Sequence, residues 1–400
     1  MPAQSSWHST PTREGESVLY REIGTTGVNA SILGFGCMRL PVIDGKPSQI
    51  DYPKATELLH YAIEHGVNYV DTAWFYHGTS MSGPGGESEP FVGHALSGGW
   101  RERVSLATKL PQQLVREADD MKRFLEQQLE RLHTDHLDFY LVHGLNGAAW
   151  DRMRDLGVRE FLDKAVADGL IRFPAFSFHG APPDFKRICD EYDDWAFGQI
   201  QFNYMDTEFQ AGYEGLCYAA DKGMGVVVME PLKGGKLGDK MPIDMQSVFA
   251  GATPQRTPAE WALRYVWNEP GVSLLLSGMN EMEQVVENIA AAEKGVANSL
   301  SATELATFER AKEFMRSRVK ADCTACRYCM PCASGVDIPG VLAALNNASM
   351  WDDANEWLTG YTRVEGKASS CTECGACEEL CPQGLPIPEL MKDAVGVFGH

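Results

Sequence analysis

Between residues 32 and 278, eight short apolar runs recur: ILGFG, VNYVD, VSLAT, LDFYLVH, PAFSF, FGQIQF, GVVVME and VSLLLSG. Each has the length and continuous hydrophobicity of a strand buried on both faces. Segments of helical spacing separate them. In KATELLHYAIEHG, Leu58, Leu59, Ala62 and Ile63 share one face and Gly66 can end the helix in a left-handed conformation. DMKRFLEQQLERLHT and VREFLDKAVADGL repeat the pattern. Strict strand-helix alternation over roughly 250 residues predicts a closed (β/α)8 TIM barrel, an α/β fold, in preference to an open doubly wound sheet. No Gly-rich dinucleotide fingerprint follows the first run. Ahead of it, SVLYREIGTTGVNA is expected to form a hairpin turning at Gly24 to Gly27 that plugs the bottom of the barrel.

A chain of 400 residues, 44% of them hydrophobic, can fill such a barrel and still supply a smaller unit. Ser301 and Glu304 have capping-box spacing and predict a helix leading out of the barrel. The domains expected are therefore a barrel over 17–300 and, over 301–400, a linking helix followed by a smaller, mainly helical domain. Of 11 cysteines, Cys37, Cys189 and Cys217 are scattered, whereas the other eight crowd into 323–381, which points to metal ligation and not to disulfides.

The second cysteine group, CTECGACEELCP, has the C-x2-C-x2-C-x3-C-P spacing of a bacterial 4Fe-4S site. The first, CTACRYCMPC, repeats the triplet, but its fourth cysteine follows after two residues and a proline precedes it. Three closely spaced thiolates can reach three irons of a cubane, and the fourth ligand then arrives from a distant point in the chain. On that logic Cys323, Cys326, Cys329 and Cys381 hold one cluster, and Cys371, Cys374, Cys377 and Cys332 hold the other. Four thiolates also suit zinc, but zinc ribbons present cysteine pairs, not triplets followed by Cys-Pro. GVDIPGVLAAL and GLPIPELMKDAV are each expected to be an extended link and then a helix packing over a cluster, with Pro339, Pro386 and Pro388 marking the turns into them. The 38 residues between the groups include Trp351, Trp357 and Tyr361, read as packing residues.

Lys and Arg number 35 against 55 Asp and Glu, a formal charge of -20 that repels nucleic acid and anionic lipid. MPAQSSWHSTPTREGES lacks a charged head followed by an apolar run, and no stretch reaches the roughly 18 apolar residues of a membrane span, so a soluble, cytoplasmic protein is expected.

In a barrel of this kind chemistry sits where strands end, and Asp71, Tyr76, Lys109 and His143 lie there. The segments that carry them, VDTAWFYHG, SLATKLP and FYLVHGL, resemble the aldo-keto reductases, and the resemblance extends over about residues 17–295 through SFHG at Ser177 to Gly180, QIQFNY at Gln199 to Tyr204 and MEPLKGG at Glu230 to Gly235. It implies carbonyl reduction by hydride transfer from NADP(H) or NAD(H). An oxygen whose carbon gains hydride needs a proton. Tyr76 can deliver it if a desolvated Lys109, held by Asp71, lowers the phenol pKa, while His143 orients the carbonyl and helps proton transfer. By the same resemblance Ser177 and Gln199 hold the nicotinamide carboxamide and Asn288 contacts adenine. Met229 stands where the family has a cofactor-stacking Tyr. Gln284 stands where many NADP-dependent members have an Arg for the 2′-phosphate, which leaves the choice of nicotinamide open. Barrel and tail together resemble an aldo-keto reductase subgroup with a ferredoxin-like extension.

The function expected is reduction of an aldehyde or ketone, or oxidation of the alcohol, with two 4Fe-4S clusters that transfer electrons to a one-electron redox protein or sense redox state. The alternative is an electron carrier or redox-responsive protein whose barrel binds nicotinamide without carbonyl turnover. In a third reading the clusters only order the tail.

Overall fold

The computed structural model describes residues 18–79, 83–351 and 354–399; the reading of the N-terminal segment as leaderless falls outside them. Strands β1 (Tyr20–Glu22) and β2 (Asn29–Ser31) pair antiparallel. Each of the eight apolar runs then contributes one strand: β3 (Leu33–Gly36), β4 (Tyr69–Asp71), β5 (Ser105–Leu110), β6 (Leu137–Leu145), β7 (Ile171–Phe178), β8 (Phe197–Gln201), β9 (Gly225–Met229) and β10 (Leu274–Ser277). They pair in parallel in sequence order, and β10 returns to β3, closing the barrel. Closure leaves no edge strand, so every ladder donor has a neighbour.

The inner layer is filled by side chains, with Tyr69, Ala107, Phe139, Leu141, Phe197, Val227 and Leu274 packed together. Ile23 and Val28 of the β1–β2 hairpin join this layer, which is the plug expected at the bottom. The turn is possible because Gly24 adopts φ +53 and lies so close to Gly225 that a Cβ would sit 2.5 Å from its nitrogen. Arg21 fastens the hairpin by donating to the carbonyls of Trp267 (2.6 Å) and Val272 (2.8 Å). The first helix, Tyr52–Glu64, buries Leu58, Leu59, Ala62 and Ile63; Asp51 accepts from Lys54 N at its start and Gly66 follows its end with φ +97.

The chain divides into two compact units, one through Leu237 with Ala259–Leu300 and the other Gly238–Pro258 with Ser301 onward. The helix Ala302–Ser317 starts at the expected capping box, with Ser301 N donating to Glu304 Oε2 at 2.7 Å. The helix Ile243–Ala250 groups with it in the second unit because Phe249 packs on Phe308 and Arg256 pairs with Glu304 at 2.5 Å. Helices Ile338–Trp351 and Ile387–Phe398 follow the two cysteine groups, as their sequences predict. Tyr361 is buried and stacks on Phe398 at 4.2 Å, so it is a packing residue. Among the described residues no helix is long and apolar enough to cross a membrane.

Candidate functional site

The parallel register brings Asp71, Lys109 and His143 to the same end of adjacent strands: Asp71 pairs with Ala107 across β4 and β5, and Lys109 with Leu141 across β5 and β6. Tyr76 enters from the loop after β4. Lys109 Nζ, fully buried, donates to Asp71 Oδ1 at 2.6 Å, to Thr72 O at 2.9 Å and to Tyr76 Oη at 3.1 Å. The His143 ring meets Tyr76 edge-on, with centroids 6.2 Å apart.

Burial disfavours the Lys109 cation, but Asp71 and Tyr76 outweigh it and hold its pKa above the ordinary lysine value. Burial raises the Asp71 carboxyl, and Lys109 pulls it back only in part. Tyr76 departs from the expectation of a lowered phenol pKa. Burial raises it by more than Lys109 lowers it, and Asp71 and Cys37 add to the rise, so the resting group is a neutral phenol with a proton to give. The expected part of His143 in proton transfer also needs correction. Burial, then Lys109 and His179, push its pKa down to about 3, so at neutral pH it is an uncharged imidazole suited to orienting a carbonyl and not to donating as imidazolium. Its Nδ1 is buried without a partner.

The expected nicotinamide residues continue around the mouth. Ser177 and Gln199 face each other across β7 and β8. Ser177 Oγ accepts from Gly144 N at 2.7 Å and so has its proton to offer, whereas Gln199 Oε1 is buried with no hydrogen-bond partner. An orphaned acceptor beside an available hydroxyl fits a primary carboxamide, which brings both a donor and an acceptor. Met229 ends β9, with Sδ 3.8 Å from Gln199 Nε2, and offers an apolar face where a ring can rest. Asn288 Nδ2 donates to Ser277 Oγ at 3.1 Å. Gln284 is engaged locally: its Oε1 accepts from Asn280 N at 3.0 Å and from Glu281 N, capping the helix Met282–Ala292.

The eight clustered cysteines surround two cavities in the second unit. Cys323, Cys326, Cys329 and Cys381 line one, walled by Ile338, Pro339 and Leu342. Cys332, Cys371, Cys374 and Cys377 line the other, with Cys329 on its shared wall. The thiols crowd accordingly: the Cys329 pKa is raised by burial and by Cys323, Cys326 and Cys381, that of Cys377 by burial and by Cys371, Cys374 and Cys332. Four crowded thiols around an apolar-walled cavity suit a cubane, and the two cavities group the cysteines in the crossed arrangement. Backbone amides already point at sulfur, Ala325 N at Cys323 Sγ and Glu373 N at Cys371 Sγ, each at 3.4 Å.

Residues that the strand-end argument passes over are Glu89, Gln128 and Arg131, which lie on helices and are brought behind Lys109 by packing alone. SEP, the start of the helix Ser88–Ala95, follows the Tyr76 loop and was the available signal.

A parallel barrel with a buried Lys, Asp and Tyr at its mouth and, in the second unit, two four-thiol cavities define an oxidoreductase that carries iron-sulfur sites. Residues 32–312 match the aldo/keto reductase family, and the chain belongs to it. Residues 322–386 match the 4Fe-4S dicluster domain, which accounts for two iron-sulfur clusters. The uncharacterized oxidoreductase YqkF of Bacillus subtilis is 26% identical over 302 residues, covering 68% of this chain and 90% of the relative. L-galactose dehydrogenase of Arabidopsis thaliana is 26% identical over 290 residues, 68% of this chain and 87% of its own. Among solved structures, the holo form of aldo-keto reductase AKR11C1 from Bacillus halodurans superposes with a TM-score of 0.60 at 26% identity, covering 74% of this chain and 96% of that one. An aldo-keto reductase from Klebsiella pneumoniae in complex with NADPH gives 0.58 at 26% identity, covering 73% and 94%.

Proposed function

We propose that the barrel reduces an aldehyde or ketone, or oxidises the corresponding alcohol, with a nicotinamide held at its mouth. The observation that carries this reading is the buried chain from Asp71 through Lys109 to Tyr76, at 2.6 and 3.1 Å, ending at a phenol that keeps its proton. A bound nicotinamide supplies hydride to the carbonyl carbon. Ser177 and Gln199 would hold its carboxamide against the β7 and β8 ends, with Met229 and Asn288 further along and Gln284 offering no cation for a 2′-phosphate. NADPH in the Klebsiella pneumoniae relative supports nicotinamide as the class of cofactor.

As the carbon–hydrogen bond forms, the carbonyl π pair moves onto oxygen, and Tyr76 Oη delivers the proton that makes the alcohol. The phenolate left behind faces the Lys109 ammonium, which stabilises it until solvent returns the proton. His143, uncharged, directs the carbonyl oxygen toward Tyr76. Asp71 keeps Lys109 charged and in place.

The two clusters would pass electrons one at a time to a redox partner or report redox state; hydride carries two. Cys326 and Cys374 are exposed, which favours exchange with an outside partner and supports the electron-carrier alternative as a second reading. Tyr76→Phe in the cluster-replete protein separates the two. If the barrel is a carbonyl reductase, turnover across a carbonyl panel falls by about 100-fold or more while nicotinamide affinity stays within about twofold. Nicotinamide binding with no turnover even in the parent chain makes it a carrier, and full activity of Tyr76→Phe removes the phenol from the chemistry.

A further inference from the structure

Behind the Tyr76–Lys109 pair lies a second buried charge that the reaction itself does not use. Glu89, in the first turn of the helix Ser88–Ala95, is wholly inaccessible to solvent. Its Oε1 accepts from Thr108 Oγ1 at 2.7 Å and from Gln128 Nε2 at 2.5 Å, and its Oε2 accepts from Arg131 Nε at 2.9 Å. Donors approach both oxygens, so an ionised carboxylate satisfies all three. A glutamine in the same place would turn its NH2 against either Arg131 or the Thr108–Gln128 pair.

Burying a carboxylate is costly, and an apolar side chain of similar volume is often as stable, so the charge needs an explanation in what its partners hold. Gln128 Nε2 also reaches Lys109 O at 3.0 Å, and Thr108 precedes Lys109 on β5; Glu89 thereby fixes the backbone from which Lys109 projects. Arg131 also donates to Gly86 O and stacks over the Trp74 ring, its Cζ 4.9 Å from the centroid. Gly86 closes the loop that carries Tyr76. Its N–H donates to Trp74 O at 2.7 Å, and it lies so near that a Cβ would be 2.0 Å from Tyr76 O. Ser88, beside Glu89, donates from its backbone to Tyr76 O at 3.2 Å.

We propose that Glu89 is a positioning residue for the reaction: through Gln128 it anchors the strand bearing Lys109, and through Arg131 the loop bearing Tyr76, and so sets the distance between ammonium and phenol. This rests on the reading of Tyr76 as proton donor. The charged or titratable groups facing the phenol are Lys109 from β5, Asp71 and Tyr69 from β4, Cys37 from the loop after β3 and His143 from β6. Glu89 acts only through the first of them and through the Tyr76 loop.

The test is Glu89→Gln in the full, cluster-replete chain, read by the pH profile of kcat/KM and by ultraviolet difference titration of the Tyr76 phenolate against a Tyr76→Phe blank. Loosening the pair predicts a loss in kcat of up to about 100-fold with nicotinamide affinity unchanged. It also moves the phenol titration and the alkaline limb together to higher pH, because Lys109 is less closely held. In a Tyr76→Phe background, Glu89→Gln then adds no further loss. An unmoved phenol titration in the folded variant, or losses that multiply in the double variant, overturns the proposal. Should Glu89→Gln not fold, Thr108→Val removes a single donor with little change of shape. It predicts a smaller shift in the same direction, and no shift counts against Glu89. If Tyr76→Phe retains turnover, the proton-donor reading fails by itself, while the phenol titration still reports whether Glu89 sets the pair.

Discussion

At the level of single residues, burial decides the chemistry at the barrel mouth as much as neighbouring charge does. Tyr76 has a cation 3.1 Å away and still keeps a raised pKa. His143 is the stronger case, with its folded-state pKa pushed from an ordinary 6.5 to about 3, burial being the largest cause. The unfolded chain takes up a proton on this imidazole near pH 6.5 and the folded chain does so only near 3. Stability is therefore unaffected above 6.5 and is lost progressively as pH falls through the window between the two values. Replacing His143 by Gln should flatten this slope by up to about 1.4 kcal/mol per pH unit, measured from urea-unfolding midpoints of the barrel across the window. An unchanged slope would show that His143 is protonated in the folded barrel. Four residue types at strand ends were legible in the sequence, because the tetrad recurs in a recognisable order. The signs of the Tyr76 and His143 shifts were not, since desolvation depends on what the rest of the chain packs around them.

Among the elements, the β1–β2 hairpin and the barrel strands are joined by a backbone contact that a side chain would prevent. Gly24 and Gly27 both have positive φ, +53 and +74, but a Cβ at Gly24 meets Gly225 N and Gly223 O at 2.5 and 2.7 Å, whereas one at Gly27 meets nothing within 4 Å. Gly27→Ala should therefore cost only the left-handed backbone term, about 1 kcal/mol, and Gly24→Ala clearly more. Comparison of the two melting temperatures checks this, and equal losses would mean that the plug shifts freely to make room. Both glycines were visible as a turn signal in SVLYREIGTTGVNA. Their inequality was not, because it depends on the approach of a strand some 200 residues away.

For the molecule as a whole, the two units hold their structure by different means. The barrel has a large hydrophobic core built from its helices and the outer faces of its strands. The second unit packs a small set of residues, among them Val336, Ile338, Leu342, Tyr361, Ile387 and Phe398, with six of the eight clustered cysteines partly buried against it. Ile338 and Ile387 line both cavities, so emptying them exposes the middle of that core. Iron chelation should unfold the second unit while leaving barrel circular dichroism and nicotinamide binding intact. Crossed ligation gives a sharper expectation. Cys381→Ala should perturb the electron paramagnetic resonance signal of the cluster on Cys323, Cys326 and Cys329, although it follows the other triplet in sequence, and Cys332→Ala should perturb the cluster on Cys371, Cys374 and Cys377. Each variant disturbing the triplet next to it in sequence would establish local ligation instead.

The amino-acid order alone determined the barrel, since eight continuous apolar runs alternating with amphipathic helices have few ways to bury themselves, and it singled out the eight clustered cysteines as candidate iron ligands, since the spacing within each triplet is a local property. Two further features were left to the tertiary structure. The segment Gly238–Pro258 lies within the span of the barrel but packs with the second unit, because Phe249 and Arg256 find Phe308 and Glu304 there. Glu89, Gln128 and Arg131 converge behind Lys109 from two helices. Periodicity reveals that a helix has a buried face, but which buried polar groups meet across two such faces is settled only when the helices pack.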